Sequence, residues 1–298
     1  MKWPSLFGRG GASAILGALA IIGVSGRRSD GAGPSHGHRD VPETRPELGR
    51  SGNLRILFAT PTRLRTDSFL RAVTTPLSLG PGIYRLKALA ADGDSLTLAT
   101  LLPFAEKNGP RLGGYRLGSW PGERTGKPVP TGFIQVTAED QDVRVSKHFR
   151  LRDFLTHDQQ SVWPKYLVLQ PRLIDKLELI SAALVRLGKS PRIHVMSGFR
   201  TPQYNALGVG PLGGRARDSR HTYGDAADIF VDGDGNGVMD DLDGDGRVTV
   251  ADSRFLLALA EQVERRFPDL VGGLSAYPAN GVHGPFLHVD TRGHRARW

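Results

Sequence analysis

Residues 219–232, SRHTYGDAADIFVD, place a histidine, a glycine turn and a carboxylate directly before an apolar run. His221 and Asp228 are seven residues apart, and a turn at Gly224 can bring their side chains to one point. The run from 228 to 231, DIFV, is typical of a buried β-strand. Alone, His221 and Asp228 could equally be hydrogen-bonded core residues. Their functional assignment therefore depends on the neighbouring motifs.

The segments on either side of this stretch predict an α+β domain over residues 143–298. Residues 192–197, RIHVMS, and 286–290, FLHVD, read as further strands of one small antiparallel sheet. Residues 169–187 carry apolar side chains at helical spacing and predict an amphipathic helix that flanks the sheet.

His288 lies in the last predicted strand and completes a possible metal site. Two imidazoles and one carboxylate suit Zn²⁺, which in catalytic sites takes three protein ligands and leaves one position to water. The chain has no cysteine, so a metal site must be built from His, Asp and Glu.

Three motifs together resemble the zinc D-Ala-D-Ala carboxypeptidase and murein endopeptidase family, the LAS-type metallopeptidases. They are SGFRTPQYN at 197–205, SRHTYGDAADIFVD at 219–232, and FLHVDTRG at 286–293 with a terminal RARW. The last motif resembles the FVHVD-like strand of an exported branch of unknown function, and the likeness covers residues 146–298.

The resemblance implies Zn²⁺ on His221, Asp228 and His288, and hydrolysis of peptide bonds in peptidoglycan stem peptides or crosslinks. It also implies a catalytic and substrate-binding role for Arg200, whose guanidinium can pair with a carboxylate or carbonyl oxygen. Ser219 and Tyr223 are the other residues expected to bind substrate.

The sequence departs from the family just before the last ligand, where many relatives have a general base. Residues 285–287 are Pro, Phe and Leu, none of which can take a proton. His283 is the nearest candidate for the acid or base, although a loop histidine without a role fits the sequence too. Asp290 is expected to orient a histidine ligand.

An acidic stretch at 232–252 contains two overlapping windows that fit the twelve-residue calcium loop, with Gly237 and Gly246 at the sharp turns. We expect Ca²⁺ to stiffen the rim of the active site, and a solvated acidic turn is the alternative. The expected ligands are Asp232, Asp234, Asn236, Asp240 and Asp243 in the first window, and Asp241, Asp243, Asp245, Thr249 and Asp252 in the second.

The N-terminal part predicts an exported protein of the bacterial periplasm or cell envelope. Residues 1–26 have a basic start and an apolar run, as in a signal peptide or an uncleaved membrane anchor. Residues 27–52 read as a disordered linker, and 53–142 as a β-rich accessory domain with turn formers between short apolar runs.

The net charge of +9 favours a polyanionic partner. Peptidoglycan is the partner that the resemblance implies. The chain carries no nucleic-acid-binding motif, and membrane contact would come only through the N-terminal anchor. A non-catalytic, calcium-dependent cell-wall binding protein is the alternative function. Metal content separates the two, because the enzyme requires Zn²⁺ as well as Ca²⁺.

Overall fold

The computed structural model describes residues 56–59, 80–89, 95–210 and 214–298. The predicted signal peptide or anchor at 1–26 and the linker at 27–52 lie outside these residues. Within the described part, no helix combines the length and the apolar character needed to cross a membrane.

The described part is a mixed α/β structure with small sheets and few helices, as expected for an α+β peptidase domain. The helices are α1 (Gly122–Thr125), α2 (Pro171–Arg186), α3 (Pro202–Ala206) and α4 (Val250–Arg266). The strands are β1 (Ile56–Ala59), β2 (Gly82–Leu89), β3 (Ser95–Thr100), β4 (Leu102–Pro103), β5 (Arg111–Leu112), β6 (Tyr115–Arg116), β7 (Gly132–Val136), β8 (Lys165–Leu167), β9 (Ile193–Ser197), β10 (Ala226–Val231), β11 (Gly273–Tyr277), β12 (Phe286–Asp290) and β13 (Ala296–Arg297).

A five-stranded sheet in the order β13-β11-β12-β10-β9 carries the three predicted motifs. Its central pairs are antiparallel, while the short strand β13 lies parallel to β11. Strands β10 and β12 are buried along their whole length, because helices cover one face of the sheet and the motif segments cover the other. The three strands predicted from the motifs are confirmed.

Helices α2 and α4 pack against each other, and α4 packs on β11 and β12. The predicted amphipathic helix is α2, with a proline in its first turn where no backbone N–H is needed. Beneath the sheet, Lys176 of α2 donates to Glu264 of α4 and to the carbonyl of Asp290, both at 2.7 Å. This fully buried ammonium holds the end of β12 onto the helix pair.

The N-terminal part contains a three-stranded sheet β1-β3-β2 and a second sheet β4-β7-β8. Strands β7 and β8 lie on opposite sides of the predicted domain boundary at residue 142 and pair with each other. The division into two domains stays a prediction. Trp120, fully buried against Phe104 and Phe133, donates from its indole N–H to the carbonyl of Thr222 at 2.8 Å. That bond fastens the N-terminal part to the turn that carries His221.

Candidate metal centre

Four residues from four adjacent strands form a row across the sheet. Asp228 of β10 faces His288 of β12 on one side and Ser197 of β9 on the other, and Ser275 of β11 faces His288. A bulge in β9 leaves Met196 without a partner and brings Ser197 level with Asp228. The row therefore places one metal ligand beside another on the face opposite the helices.

His221 reaches this row from a short 3₁₀ helix, Arg220–Tyr223, which ends at Gly224 in the left-handed conformation. A side chain at Gly224 would lie 2.2 Å from the carbonyl oxygen of Val168, so only glycine fits there. His221 Nδ1 bonds the carbonyl of Gly198 at 2.7 Å. That carbonyl can only accept, so Nδ1 carries the proton and Nε2 is left with a free lone pair.

The three predicted ligands converge through one atom each. Nδ1 of His288 lies 2.9 Å from Oδ1 of Asp228, and Nε2 of His221 lies 3.2 Å from each of those two atoms. Ligands at about 2.0–2.1 Å from a tetrahedral zinc are separated by roughly 3.3 Å, so the donor types and their spacing both fit zinc. The structure thus brings together the residues that the resemblance implied.

Electrostatics favour the metal-binding states of His221 and Asp228, whereas His288 must lose a proton to bind a cation. Burial lowers the pKa of His221 below its ordinary value, which favours the neutral imidazole. Burial alone would raise the pKa of Asp228, but His221, His288 and Arg200 together hold it well below the usual range. Burial opposes protonation of His288, yet its bonds to Asp228 and Asp290 raise its pKa overall.

Arg200 is held beside the ligand row by two contacts. Its Nε donates to Ser197 Oγ at 2.8 Å, and its Nη2 forms an ion pair with the outer oxygen of Asp228. Among the described residues, Nη1 has no hydrogen-bond acceptor. Both N–H groups of Nη1 are therefore left for an oxygen of a ligand.

Asp290, which the sequence predicts to orient a histidine ligand, lies beside His288 on the side away from Asp228. Its Oδ2 lies 3.2 Å from Nε2 of His288, and Arg292 binds the same carboxylate through Nε at 2.9–3.0 Å. The backbone N–H of Gly273 adds a 2.7 Å bond, and these donors hold the pKa of the buried Asp290 below its ordinary value. Such a carboxylate fixes the ring orientation and the tautomer of a histidine ligand.

Ser275 was missed from the sequence, and Trp298, which ends the RARW motif, was given no role there, but both lie beside His288. Ser275 donates to the carbonyl oxygen of Trp298 at 2.6 Å, and the indole centroid is 5.3 Å from that of His288. The indole N–H donates to the hydroxyl of Tyr277 at 2.6 Å. Only the register of β11 against β12 reveals these neighbours, and no motif spacing encodes it.

His283, the predicted proton carrier, lies in the loop before β12 and contacts none of the three ligands. Its Nδ1 bonds the carbonyl of Gly284 at 2.8 Å, and its Nε2 bonds the side-chain amide of Asn280 at 2.8 Å. Its ring lies edge-on to Phe286 with centroids 4.8 Å apart. Phe286 faces the same side of the sheet as His288, so the imidazole sits along the ligand face.

Ser219 and Tyr223, predicted to bind substrate, flank His221 in the same turn. Ser219 is buried, and its carbonyl accepts from the backbone and side chain of Thr222. The hydroxyl of Tyr223 donates to Asp218 at 2.9 Å, and partial burial with that bond raises its pKa to about 12. Their roles toward a substrate stay predictions.

The acidic stretch forms two separate carboxylate clusters. Asp243, which the sequence placed in both windows, lies with Asp241 and Asp252, while Asp232, Asp234 and Asp240 form the other cluster. Asn236 and Asp245 instead accept hydrogen bonds from the backbone two residues on, and Thr249 caps α4. The structure thus assigns Asp243 to the second loop, which spacing alone left open.

Residues 140–238 match the family model Peptidase_M15_2, described as peptidoglycan L,D-endopeptidase MepK. The matched segment includes Arg200, His221 and Asp228, and it ends within the first acidic loop, before His288. The match confirms the resemblance to the murein endopeptidases and supports a hydrolase that acts on peptidoglycan. No curated protein and no solved structure matches the chain.

Proposed function

We propose that this protein is a zinc-dependent peptidase that cleaves peptide bonds in peptidoglycan, with His221, Asp228 and His288 as the zinc ligands. The convergence of three buried ligand atoms within 2.9–3.2 Å of one another carries the proposal. Three protein ligands with a fourth position open to water are typical of catalytic zinc. The exported, envelope location expected from the N-terminal segment agrees with such a substrate.

Zinc, when bound, would supply a Lewis acid and a water of lowered pKa for hydrolysis of an amide. Arg200 would bind the carbonyl oxygen of the scissile bond through Nη1 and stabilise the negative charge that develops there. Ser197 and Asp228 fix the guanidinium before the substrate arrives, so little reorganisation is needed.

His283 is the proposed proton carrier between the water and the leaving amine. The carbonyl of Gly284 keeps the proton on Nδ1, so Nε2 can accept one once its bond to Asn280 opens. The arrangement predicts that His283→Gln lowers kcat roughly 100-fold and leaves zinc content unchanged. An unchanged kcat and pH profile would assign the proton transfer to another group.

We further propose that the two acidic loops bind structural Ca²⁺. They lie between β10, which carries Asp228, and helix α4, which packs under β12, so ordering them would stiffen the rim of the site. Carboxylate oxygens with glycines at the tight turns are what such loops require.

The matched family model describes an L,D-endopeptidase, which favours cleavage within the stem peptide or crosslink over removal of a terminal D-alanine. Product analysis decides between them, because a carboxypeptidase releases free alanine while an endopeptidase releases peptide fragments. The alternative, a non-catalytic calcium-dependent wall-binding protein, needs no zinc and gives neither product.

Elemental analysis with digestion of purified peptidoglycan tests the proposal. The wild-type protein should hold about one zinc and release peptides, and His221→Ala should lose both the zinc and the products. His294→Gln, an exposed histidine away from the site, serves as the control. Calcium without zinc, together with intact peptidoglycan, would favour the binding-protein alternative.

A further inference from the structure

An open cavity of about 450 Å³ lies along the edge strand β9. His194 of β9 lines it and stacks on its register partner Phe230, with ring centroids 4.6 Å apart. Phe230 follows Asp228 by two residues on β10 and so projects from the same face of the sheet, about 7 Å further along the strand. This cavity, called the β9 pocket, is lined among others by Arg152, Asp153, His157, Trp163, Lys165 and His194.

The β9 pocket lies close to the segment that carries Arg200. Thr201, next to Arg200 in the chain, donates from its hydroxyl to Asp158, next to His157, at 3.5 Å. The pKa of His157 is lowered, first by burial and then by the positive charges of Arg200 and Arg215. The pocket therefore lies on the side of the proposed active site that Arg200 occupies.

Three basic side chains of the β9 pocket have N–H groups for which no described residue provides an acceptor. The buried ammonium of Lys165 has three N–H groups but donates one bond, to the carbonyl of Gln159 at 2.8 Å, and it lies 4.9 Å from the ring centroid of Trp163. The exposed imidazoles of His157 and His194 make no hydrogen bond to any other described residue. These three side chains can donate N–H groups to a ligand.

The carboxylates near the pocket already have partners. Asp153 accepts the backbone N–H of Arg150 at 2.7 Å. Asp158 accepts the hydroxyl of Thr156 at 2.9 Å and the side-chain amide of Gln159 at 3.0 Å. A carboxylate ligand would bring two acceptor oxygens to the N–H groups of Lys165, His157 and His194.

We propose that the β9 pocket is a binding site for a free carboxylate of the peptide substrate, contacted by Lys165, His157 and His194. The ring of Trp163 gives the adjoining part of the peptide an apolar surface. The inference rests on the proposed peptidase function, since it takes the ligand to be a wall peptide. It adds a second anchoring point, which holds the peptide on the β9 side of the bond to be cut.

Calorimetric titration tests the site with two forms of one synthetic stem peptide, one with free carboxylates and one with all carboxylates amidated. The full-length, zinc-loaded protein should bind the free acid at least ~10-fold more tightly, because hydrogen bonds to a charged carboxylate are stronger than those to a neutral amide. His157→Gln and Lys165→Gln should each remove most of this preference. His294→Gln and Lys147→Gln, with exposed side chains outside the pocket, should keep it.

The outcomes separate this site from the proposed reaction. If no peptide is cleaved but the preference for the free acid exists and depends on His157, the pocket stands and the peptidase function fails. Equal binding of both peptide forms would overturn the pocket. His157→Gln changes an exposed side chain, so the test survives if Lys165→Gln does not fold.

Discussion

Nδ1 of His221 bonds the carbonyl oxygen of Gly198 at 2.7 Å, which ties the first motif of the site to the second. Gly198 also lies against Phe154, where an added Cβ would stand 2.7 Å from a backbone Cα. Because Gly198 has no side chain, it can approach Phe154 closely, and its carbonyl is placed to orient His221, 23 residues further along the chain.

Gly198→Ala is therefore expected to lower zinc affinity roughly 10–100-fold, the range found when partners of a metal ligand are disturbed. The clash lies with backbone atoms and moves the carbonyl away from His221. Competition with a chromophoric chelator measures the effect. Gly114→Ala, where an added Cβ meets nothing within 4 Å, is the matched control, and equal affinities for the two variants would refute the role of Gly198.

Lys176→Met should destabilise the protein by roughly 3 kcal/mol at neutral pH, because it leaves Glu264 and the carbonyl of Asp290 without their buried donor. Burial is the largest influence on the ammonium and lowers the pKa of Lys176 below its ordinary 10.5. Between the folded and unfolded pKa values the unfolded chain holds more protons, so the stability of the wild type rises with pH in that window.

Denaturant unfolding of both proteins from pH 7 to 10.5 checks this. The stability difference between wild type and variant should widen as the pH approaches 10.5. A difference that narrows would mean that the pKa of Lys176 is raised in the folded protein.

Tyr115→Phe should leave stability unchanged or increase it by up to about 1 kcal/mol. The hydroxyl of Tyr115 is buried and has no hydrogen-bond partner among the described residues, and its burial raises the pKa of the phenol. Thr201→Ala gives the contrast, since it removes a buried hydroxyl that caps α3 at Tyr204 N and should cost about 1 kcal/mol. Urea unfolding ranks the two variants, and a destabilised Tyr115→Phe would point to an ordered partner at that hydroxyl.

Calcium should stabilise the protein by about 2.7 kcal/mol for each filled site when its concentration is 100-fold above Kd. Because the carboxylates form two clusters, Asp234→Ala should remove one site and Asp243→Ala the other. Titration calorimetry of each variant counts the sites that remain. If Asp243→Ala left both thermal stability and activity in calcium unchanged, the proposed structural role of calcium would be refuted.

The sequence predicted those parts of the site that local patterns encode. The strand at Phe286–Asp290, the glycine turn at Gly224 and the helix at Pro171–Arg186 each follow from a short run of residues. The convergence of the ligands was implied by the family motifs and not by spacing, since His288 is 67 residues from His221. A spacing of that length leaves the relative position of two residues undetermined until the strands pair.

What the sequence could not supply depends on strand register and on distances across loops. Ser275 is brought to His288 by the pairing of β11 with β12, and Trp298 follows from the bond that Ser275 donates. Asp243 fits two calcium windows equally well, and only the fold separates them. The β9 pocket collects residues from four different segments, none of which carries a recognisable motif.

Because Asp228 and His288 pair across neighbouring strands, the metal site forms only when β10 and β12 pair in the native register. The two residues are 60 positions apart, and a slip of one residue in β12 would turn the imidazole toward the helix-covered face. A chain that has misregistered its C-terminal strand cannot hold the metal with three ligands. The proposed hydrolysis would thus require the native register of β12, and a misregistered chain would be inactive.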